Sequence, residues 1–310
     1  MENIDSETIS FIAADWGTTN LRIWAIDVNG DVICKRTSDQ GMSMVEPDGF
    51  ESILVKLTED LLSNNWVMPV VICGMVGSKN GWMEAPYESV PSNVSKPKRI
   101  VSPKTKDPRI SVKILPGLKQ RFPEDVMRGE ETQISGFLRN NPNFSGCLCL
   151  PGTHTKWVAV ENGLVERFQT SITGEMYNIL SRYSILQLTL DMKSWDQQEF
   201  LDSVQEITKS PDLLLSMLFR IRAKSLLIAT VASPTTAVLS GLLIGYDVLS
   251  AKYFWQNRPI YVLGEEKLAN LYADAFSFQK IDATVFNVDQ ATVLGLISAK
   301  KIAFELNTYS

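Results

Sequence analysis

Asp15-Trp16-Gly17-Thr18-Thr19-Asn20-Leu21-Arg22 is the stretch on which the reading of this chain turns. Upstream, Ser10 to Ala14 is a short apolar strand. Downstream, Leu21-Arg22-Ile23-Trp24-Ala25-Ile26 alternates as a second strand must, so the octapeptide is the hydroxyl-rich turn of a β-hairpin. Asn29-Gly30-Asp31 supplies the next turn and Asp31 to Arg36 a third strand, so the chain opens as a β-meander. Phe50, Ile53, Leu54, Leu57, Leu61 and Leu62 then fall at helical spacing, and Pro69 to Cys73 reads as a buried strand. Strand, helix, strand predicts a layered α/β domain.

The pattern restarts further on. A helix is expected over Gly129 to Leu138, ended by the breaker Asn140-Asn141-Pro142-Asn143. Gly146 to Leu150 is an apolar strand, Pro151-Gly152-Thr153-His154-Thr155 a turn, Lys156 to Val160 a second strand, and Leu164 to Gln169 a third after Asn162-Gly163. The expectation is two α/β domains, 1–138 and 139–310, each opening on a hairpin whose turn carries Gly-Thr. Two such turns facing one another across a cleft can hold a triphosphate. Little beyond Gly-Thr is shared, so the repeat is one of structure.

The 310 residues are 45% hydrophobic and 21% charged, enough for a sizeable core. A net charge of -5 and a pI near 5.2 argue against a broad nucleic-acid footprint and for a small ligand. Pro91 to Arg109 is basic but has no interleaved aromatic residues, so a solvated loop with a hairpin through Pro103 to Pro108 is expected. Cys34, Cys73, Cys147 and Cys149 lack metal-finger spacing and read as reduced core residues of a cytoplasmic protein. Met1 to Glu7 lacks the basic and apolar regions of a secretory signal. Leu226 to Leu249 is apolar but carries Pro234 at its middle, which predicts two buried helices and no membrane span. A homodimer is compatible with the sequence, which leaves the oligomeric state open.

At the first turn, Gly17 lets main chain approach phosphate, and Thr18, Thr19 and Asn20 add donors. Asp15 is placed to organise Mg²⁺ through water, although an Asp before a tight turn also caps ordinary hairpins. The octapeptide resembles the first phosphate motif of the actin-like sugar kinases. Gly74-Met75-Val76-Gly77-Ser78-Lys79-Asn80-Gly81-Trp82 with Glu84-Ala85-Pro86-Tyr87, Asp125-Val126-Met127-Arg128-Gly129-Glu130-Glu131-Thr132-Gln133, and Leu150-Pro151-Gly152-Thr153-His154-Thr155-Lys156-Trp157 resemble blocks of the 2-dehydro-3-deoxygalactonokinase family, in the same order from Phe11 to Ala299. The resemblance implies an α/β fold of two actin-like (ribonuclease H-like) domains with a nucleotide cleft between them, ATP and Mg²⁺, and phosphorylation of 2-dehydro-3-deoxy-D-galactonate at its C6 hydroxyl in galactonate breakdown. The alternatives are an actin-like kinase of a neutral sugar or polyol and a non-catalytic nucleotide-binding regulatory protein.

Such a reaction needs a carboxylate to accept the hydroxyl proton. Glu130 is the first candidate, since Gly129-Glu130 stands where the related glycerol and xylulose kinases have a Gly-Asp pair. Asp125 is the second candidate and Glu131 the third. A sugar acid asks for cationic or N–H donors, for which Arg128, Lys79 and Ser78 are candidates, with Trp82 and Tyr87 as pocket walls. The plainer readings are a surface turn flanked by core aromatics and an ion pair of Arg128 with Glu131 or Asp125. Gly152, Thr153, His154 and Lys156 form the second phosphate site, with Lys156 either reaching phosphate or facing solvent. Thr173 or Glu175 either touches substrate or caps a helix beginning near Tyr177, capping being the plainer reading. Gly264 and Glu265, where a strand meets a helix, are the expected adenosine contact. Asp289 to Leu296 resembles the closing helix of these kinases, its small residues allowing close packing.

Overall fold

The computed structural model of the protein describes residues 6–191, 193–227 and 235–305. The expected helix break at Pro234 and the first residues of the N-terminal segment lie outside these. The described residues form two compact units drawn from interleaved segments rather than from 1–138 and 139–310. The first comprises Met1–Phe144, Glu161–Arg167 and Val288–Ser310, the second Ser145–Val160 and Phe168–Asn287.

In the first unit the meander is β1 (Ile9–Trp16), β2 (Leu21–Asp27) and β3 (Val32–Ser38). Helix α1 (Phe50–Thr58), shorter than the apolar spacing suggests because its last turn tightens to a 3-10 form, leads to β4 (Met68–Gly74). Then come β5 (Glu88–Ser89), β6 (Ile110–Ile114), β7 (Leu118–Arg121), β8 (Glu124–Met127) and α2 (Glu130–Asn140). The main sheet has the order β3-β2-β1-β4-β6. β1 runs antiparallel to β2, pairing Asp15 with Arg22, and parallel to β4, pairing Asp15 with Cys73. Period-two alternation splits β1 between two cores. Ile12, Ala14 and Trp16 face the α1 side, where Trp16 meets Phe50 edge-on at 5.3 Å.

The meander recurs as β9 (Gly146–Leu150), β10 (Thr155–Glu161) and β11 (Leu164–Ser171), which belong to the second unit apart from the segment Glu161–Arg167. Helices α3 (Thr173–Tyr183), α4 (Gln197–Lys209), α5 (Leu214–Leu227), α6 (Thr235–Ser250) and α7 (Lys252–Trp255) lead to β12 (Ile260–Gly264), α8 (Glu266–Phe278) and β13 (Thr284–Asn287). The sheet order β11-β10-β9-β12-β13 matches that of the first unit strand for strand. Trp157, Tyr272 and Phe276 centre its core.

Helix α9 (Val288–Lys300) belongs with the first unit, where Val293, Leu296 and Ala299 cover Phe11, Ala13 and Trp24 on the other face of the sheet. It crosses α2 closely, since a Cβ on Gly295 would stand 2.0 Å from the Thr132 carbonyl oxygen and one on Gly136 1.8 Å from that of Ala291. This packing is why the chain does not divide at one cut.

Two local expectations are corrected. Pro103 to Pro108 forms no hairpin, because the Glu51 carboxylate accepts the Lys106 and Asp107 N–H groups at 2.6 and 2.7 Å and holds that loop irregular. Helix α3 begins at Thr173, not near Tyr177, and no side chain caps it, so Thr173 and Glu175 have other partners. Among the described residues no helix is long and apolar enough to cross a membrane.

Candidate active site

In the first unit the ends of β1 and β4 and the start of α2 converge. Gly74, at φ +91°, ends β4 where a Cβ would come within 2.6 Å of the Trp16 carbonyl and 3.0 Å of Asp15 Oδ1. Gly129, at φ +109°, precedes α2, and a Cβ on it would stand 3.4 Å from Gly74 Cα. The left-handed backbone favours glycine at both positions, and at Gly74 the close approach requires it as well. The helix start turns its own acids back on the chain: Glu130 Oε2 accepts from Arg128 N at 3.1 Å and Glu131 Oε2 from Gly129 N at 2.8 Å. Glu131 is buried, and burial with the neighbouring Glu130 charge pushes its carboxyl up to about 8. Glu130 is only half-buried. Asp125 sits on β8 opposite Gln120, its Oδ1 accepting from Val126 N at 2.7 Å.

The first turn is braced from behind. Gly17 N donates to Asn20 O at 2.9 Å, Met42 N to Gly17 O at 2.9 Å, and Ser43 N and Oγ to Thr18 O at 3.0 and 2.8 Å. The Gly17, Thr18 and Asn20 carbonyls are thereby committed, while the Thr18, Thr19 and Asn20 side chains remain exposed. A cavity of 340 Å³ opens here, lined by Asp15, Gly17, Thr19, Asn20, Arg22 and Thr37. Arg22 bonds Asp15 and, at 2.6 Å, Asp289, which also holds Lys35. No role was expected for Arg22, although equal counting from the hairpin turn pairs it with Asp15.

In the Gly74 to Tyr87 block, Arg128 is 8% exposed and stacks over the Tyr87 ring at 4.2 Å. Its Nη2 donates to Ala85 O at 2.8 Å, whereas Nε and Nη1 are buried with no hydrogen-bond partner, as is Ser78 Oγ. Gly77 lies against this guanidinium, where a Cβ would come within 2.9 Å of Nη1. One plainer reading gives way and the other largely holds: Arg128 forms no ion pair within 4.0 Å with Asp125 or Glu131 among the described residues, whereas Lys79 and Asn80 are exposed on a turn closed by Gly81 N donating to Ser78 O at 3.0 Å, with Ser78 Oγ buried beneath it. Lys79 is exposed, and Trp82 stacks on Phe50 at 6.4 Å as part of the core wall.

In the second unit the Gly152-Thr153-His154-Thr155 turn docks on the first turn of α3. Glu175 N donates to Thr153 O at 2.9 Å, a Cβ on Gly174 would stand only 2.3 Å from Gly152 O, and His154 Nε2 pairs with Glu175 Oε2 at 2.8 Å. Lys156 is 5% exposed, which rules out the solvent-facing reading: β10 is buried on both faces. Beside the turn lies a cavity of 490 Å³ whose walls include Thr153, Thr173, Tyr177, Trp195, Glu265 and Tyr272. Glu265 therefore reaches it, its carboxylate also accepting from Leu268 N at 3.2 Å. Gly264 does not line it and packs on Pro151 instead, where a Cβ would come within 2.9 Å of Cγ. Trp195, half-exposed on the loop before α4, went unforeseen; in the sequence it is only a Trp next to an Asp, and its exposure beside the N-cap Asp196 is visible in the structure alone.

With this geometry in hand, comparison with known proteins is direct. The sequence model of the 2-keto-3-deoxy-galactonokinase family matches residues 15–299. A protein of Rhizobium meliloti (strain 1021), provisionally named 2-dehydro-3-deoxygalactonokinase DgoK1, is 34% identical over 96% of this chain and 98% of its own. The 2-dehydro-3-deoxygalactonokinase of Escherichia coli (strain K12) is 32% identical over 94% and 97%. A crystal structure from Sinorhizobium meliloti, provisionally assigned as a 2-dehydro-3-deoxygalactonokinase, superposes with a TM-score of 0.86 at 33% identity, covering 95% of this chain and 99% of that one. An activator of 2-hydroxyisocaproyl-CoA dehydratase from Clostridium difficile shares the fold alone, with a TM-score of 0.52 at 11% identity over 97% and 98%.

Proposed function

Because this chain belongs to the 2-keto-3-deoxy-galactonokinase family, we propose that it transfers the γ-phosphoryl group of ATP to the C6 hydroxyl of 2-dehydro-3-deoxy-D-galactonate. The observation that carries the substrate reading is the Arg128 guanidinium, buried with Nε and Nη1 unpartnered, as Ser78 Oγ in the same block also is. Buried donors are expensive to leave unmade, and a planar fork of N–H groups matches a carboxylate. A neutral sugar would leave that charge uncompensated.

ATP supplies the phosphoryl group and Mg²⁺ neutralises its charge when bound. Among the described residues no three metal-type ligands cluster, so the donor set does not fit an all-protein cage. One carboxylate, Asp15, at the mouth of a cavity rich in hydroxyl and amide groups does fit Mg²⁺ held through water and substrate phosphate. Thr18, Thr19 and Asn20 then donate to phosphate oxygens, Gly17 leaving room for the main chain to approach, with Arg22 as a further cation. Gly152, Thr153, His154 and Lys156 serve as the second phosphate site, and the 490 Å³ cavity takes the nucleoside, with Glu265 on its wall. Glu130 takes the C6 hydroxyl proton as that oxygen bonds to phosphorus and the bond to ADP breaks. Its place at the helix start favours it over Asp125, which is equally half-buried on β8, and its half-burial favours it over Glu131, whose carboxyl is buried and largely protonated at neutral pH. Four free cysteines, three of them buried, support a reducing cytoplasmic setting.

The test is coupled ADP release with Mg-ATP across 2-keto-3-deoxy sugar acids, their parent aldonates and neutral sugars, with Glu130→Gln alongside. Activity on the galactonate derivative that drops about 10²- to 10⁴-fold in the variant is expected. Preference for neutral sugars overturns the substrate assignment.

A further inference from the structure

Asp247, on α6, is 3% exposed and makes no ion pair within 4.0 Å among the described residues. Its carboxylate is instead held by three neutral donors from three other elements. Trp157 Nε1 on β10 donates to Oδ1 at 2.9 Å, while Thr173 Oγ1 at the start of α3 and Tyr272 OH on α8 donate to Oδ2 at 2.7 and 2.6 Å. Tyr272 OH also lies 3.0 Å from Thr155 Oγ1, in the turn that carries Gly152 and Thr153. A buried carboxylate without a counter-charge is a costly way to join four elements, and apolar packing of similar volume would cost less. What the carboxylate adds is direction: both of its oxygens fix hydroxyl orientations that an apolar residue leaves free.

Two of the three donors, Thr173 and Tyr272, line the 490 Å³ cavity, whereas Asp247 does not. Thr173 is the first residue of α3, and the same helix start carries Gly174, pressed on the Gly152 carbonyl, and Glu175, bonded to Thr153 O. We propose that Asp247 is a positioning residue for the nucleotide: through Thr173 it holds the start of α3 against the Gly152-Thr153 turn, and through Tyr272 and Thr155 it orients the cavity wall. This rests on the reading of that cavity as the nucleoside site. The carboxylate touches no substrate and acts only through the side chains it holds.

The experiment is calorimetric titration of the full chain with a non-hydrolysable ATP analogue and Mg²⁺, for wild type, Asp247→Asn, Thr173→Val, Thr173→Ser and the Asp247→Asn/Thr173→Val double variant, with melting temperatures and the KM for sugar acid measured in parallel. The amide has one acceptor oxygen where the carboxylate has two, so one branch of the network must reverse or go unserved. Asp247→Asn and Thr173→Val are each expected to weaken nucleotide binding about 5- to 30-fold. The double variant should be no weaker than the worse single, Thr173→Ser should restore binding, and the KM for sugar acid should stay within twofold. Multiplying effects in the double variant, or a lowered melting temperature with unchanged nucleotide affinity, would overturn the inference and leave Asp247 a core residue. If wild type binds no nucleotide at all, the functional reading beneath it falls first, and the two failures stay distinct.

Discussion

Replacing Arg128 by Met should cost the free protein little and the liganded protein almost everything. In the free state Nε and Nη1 are buried without partners, at about 1–3 kcal/mol each. Against this stand the bond from Nη2 to Ala85 O at 2.8 Å, worth about 1.5–3 kcal/mol for a charged donor, and the stack over Tyr87 at 4.2 Å, worth about 0.5–2 kcal/mol. A cost of about 2–6 kcal/mol therefore meets a gain of about 2–5 kcal/mol. Methionine fills the space with a flexible apolar chain, so the variant's unliganded stability should lie within about 2 kcal/mol of wild type. Sugar acid separates the two. Losing a buried charged contact costs about 2–5 kcal/mol, which raises the KM for the acid at least about 30-fold. Thermal melts with and without sugar acid, beside coupled ADP release, read both quantities. At about 100 times its Kd for wild type the ligand should stabilise wild type by about 2.7 kcal/mol and the variant by about 0.9 kcal/mol or less. A variant that loses more than about 10 °C unliganded yet keeps its KM would show Arg128 to be a structural cation and refute the reasoning.

Glu131 gives a pH signature. Its carboxyl lies near 8 folded against an ordinary 4.5, so between those values the folded chain keeps a proton the unfolded chain has lost; the stability is full below the lower value and declines as pH rises through the upper. Glu131→Gln cannot ionise, so its melting temperature relative to wild type should climb between pH 5 and 9, and a flat difference sinks the assignment. Trp195→Leu should weaken nucleotide binding about 5- to 100-fold if the half-exposed indole stacks on the base, and abolish any ATP-dependent fluorescence change while sparing the KM for sugar acid; unchanged nucleotide affinity counts against that cavity wall. Gly295→Ala must force α9 from α2, since its Cβ would stand 2.0 Å from Thr132 O. A loss of at least about 1–3 kcal/mol in urea unfolding is expected, with kcat falling because α2 begins at Glu130, and an unaltered urea midpoint would contradict the packing.

How far the sequence went follows from how local each signal was. The meanders and α1 were legible because alternation and helical spacing need only neighbours along the chain. β5, β7 and β8 were not, being two to four residues long with no period to detect. The start of α3 was read four residues late because Thr173 and Glu175 spend their side chains on Asp247 and His154 rather than on a cap. Lys156 was left between two readings for a related reason: alternation cannot reveal a strand buried on both faces. At the site, Arg128, Ser78 and Glu130 were reached through motif blocks. Trp195 and Asp247 belong to no block, and only tertiary structure brings them to the cavity or its supports.

The two turns explain why the repeat is plain in topology and faint in sequence. Each follows the first strand of a sheet whose strands run in the same order, so the backbone must reverse at the same place in both units. The support behind that reversal differs. The first turn packs on Gly41, and Met42 and Ser43 donate to its Gly17 and Thr18 carbonyls, while Thr18, Thr19 and Asn20 stay exposed with the Asn20 amide bonded to Thr19 Oγ1 at 3.0 Å. The second leans on the first turn of α3, and through Thr155 and Tyr272 on Asp247. Side chains answer to what lies behind them, so those beyond Gly-Thr have no reason to agree. The glycine has a reason in both: a Cβ on Gly17 would crowd Asn20 O at 3.3 Å, whereas above Gly152 the nearest atom is 4.0 Å away. At Gly152, then, packing within the protein does not demand glycine, and the open space supports the close approach of a phosphate to main chain as the reason for it.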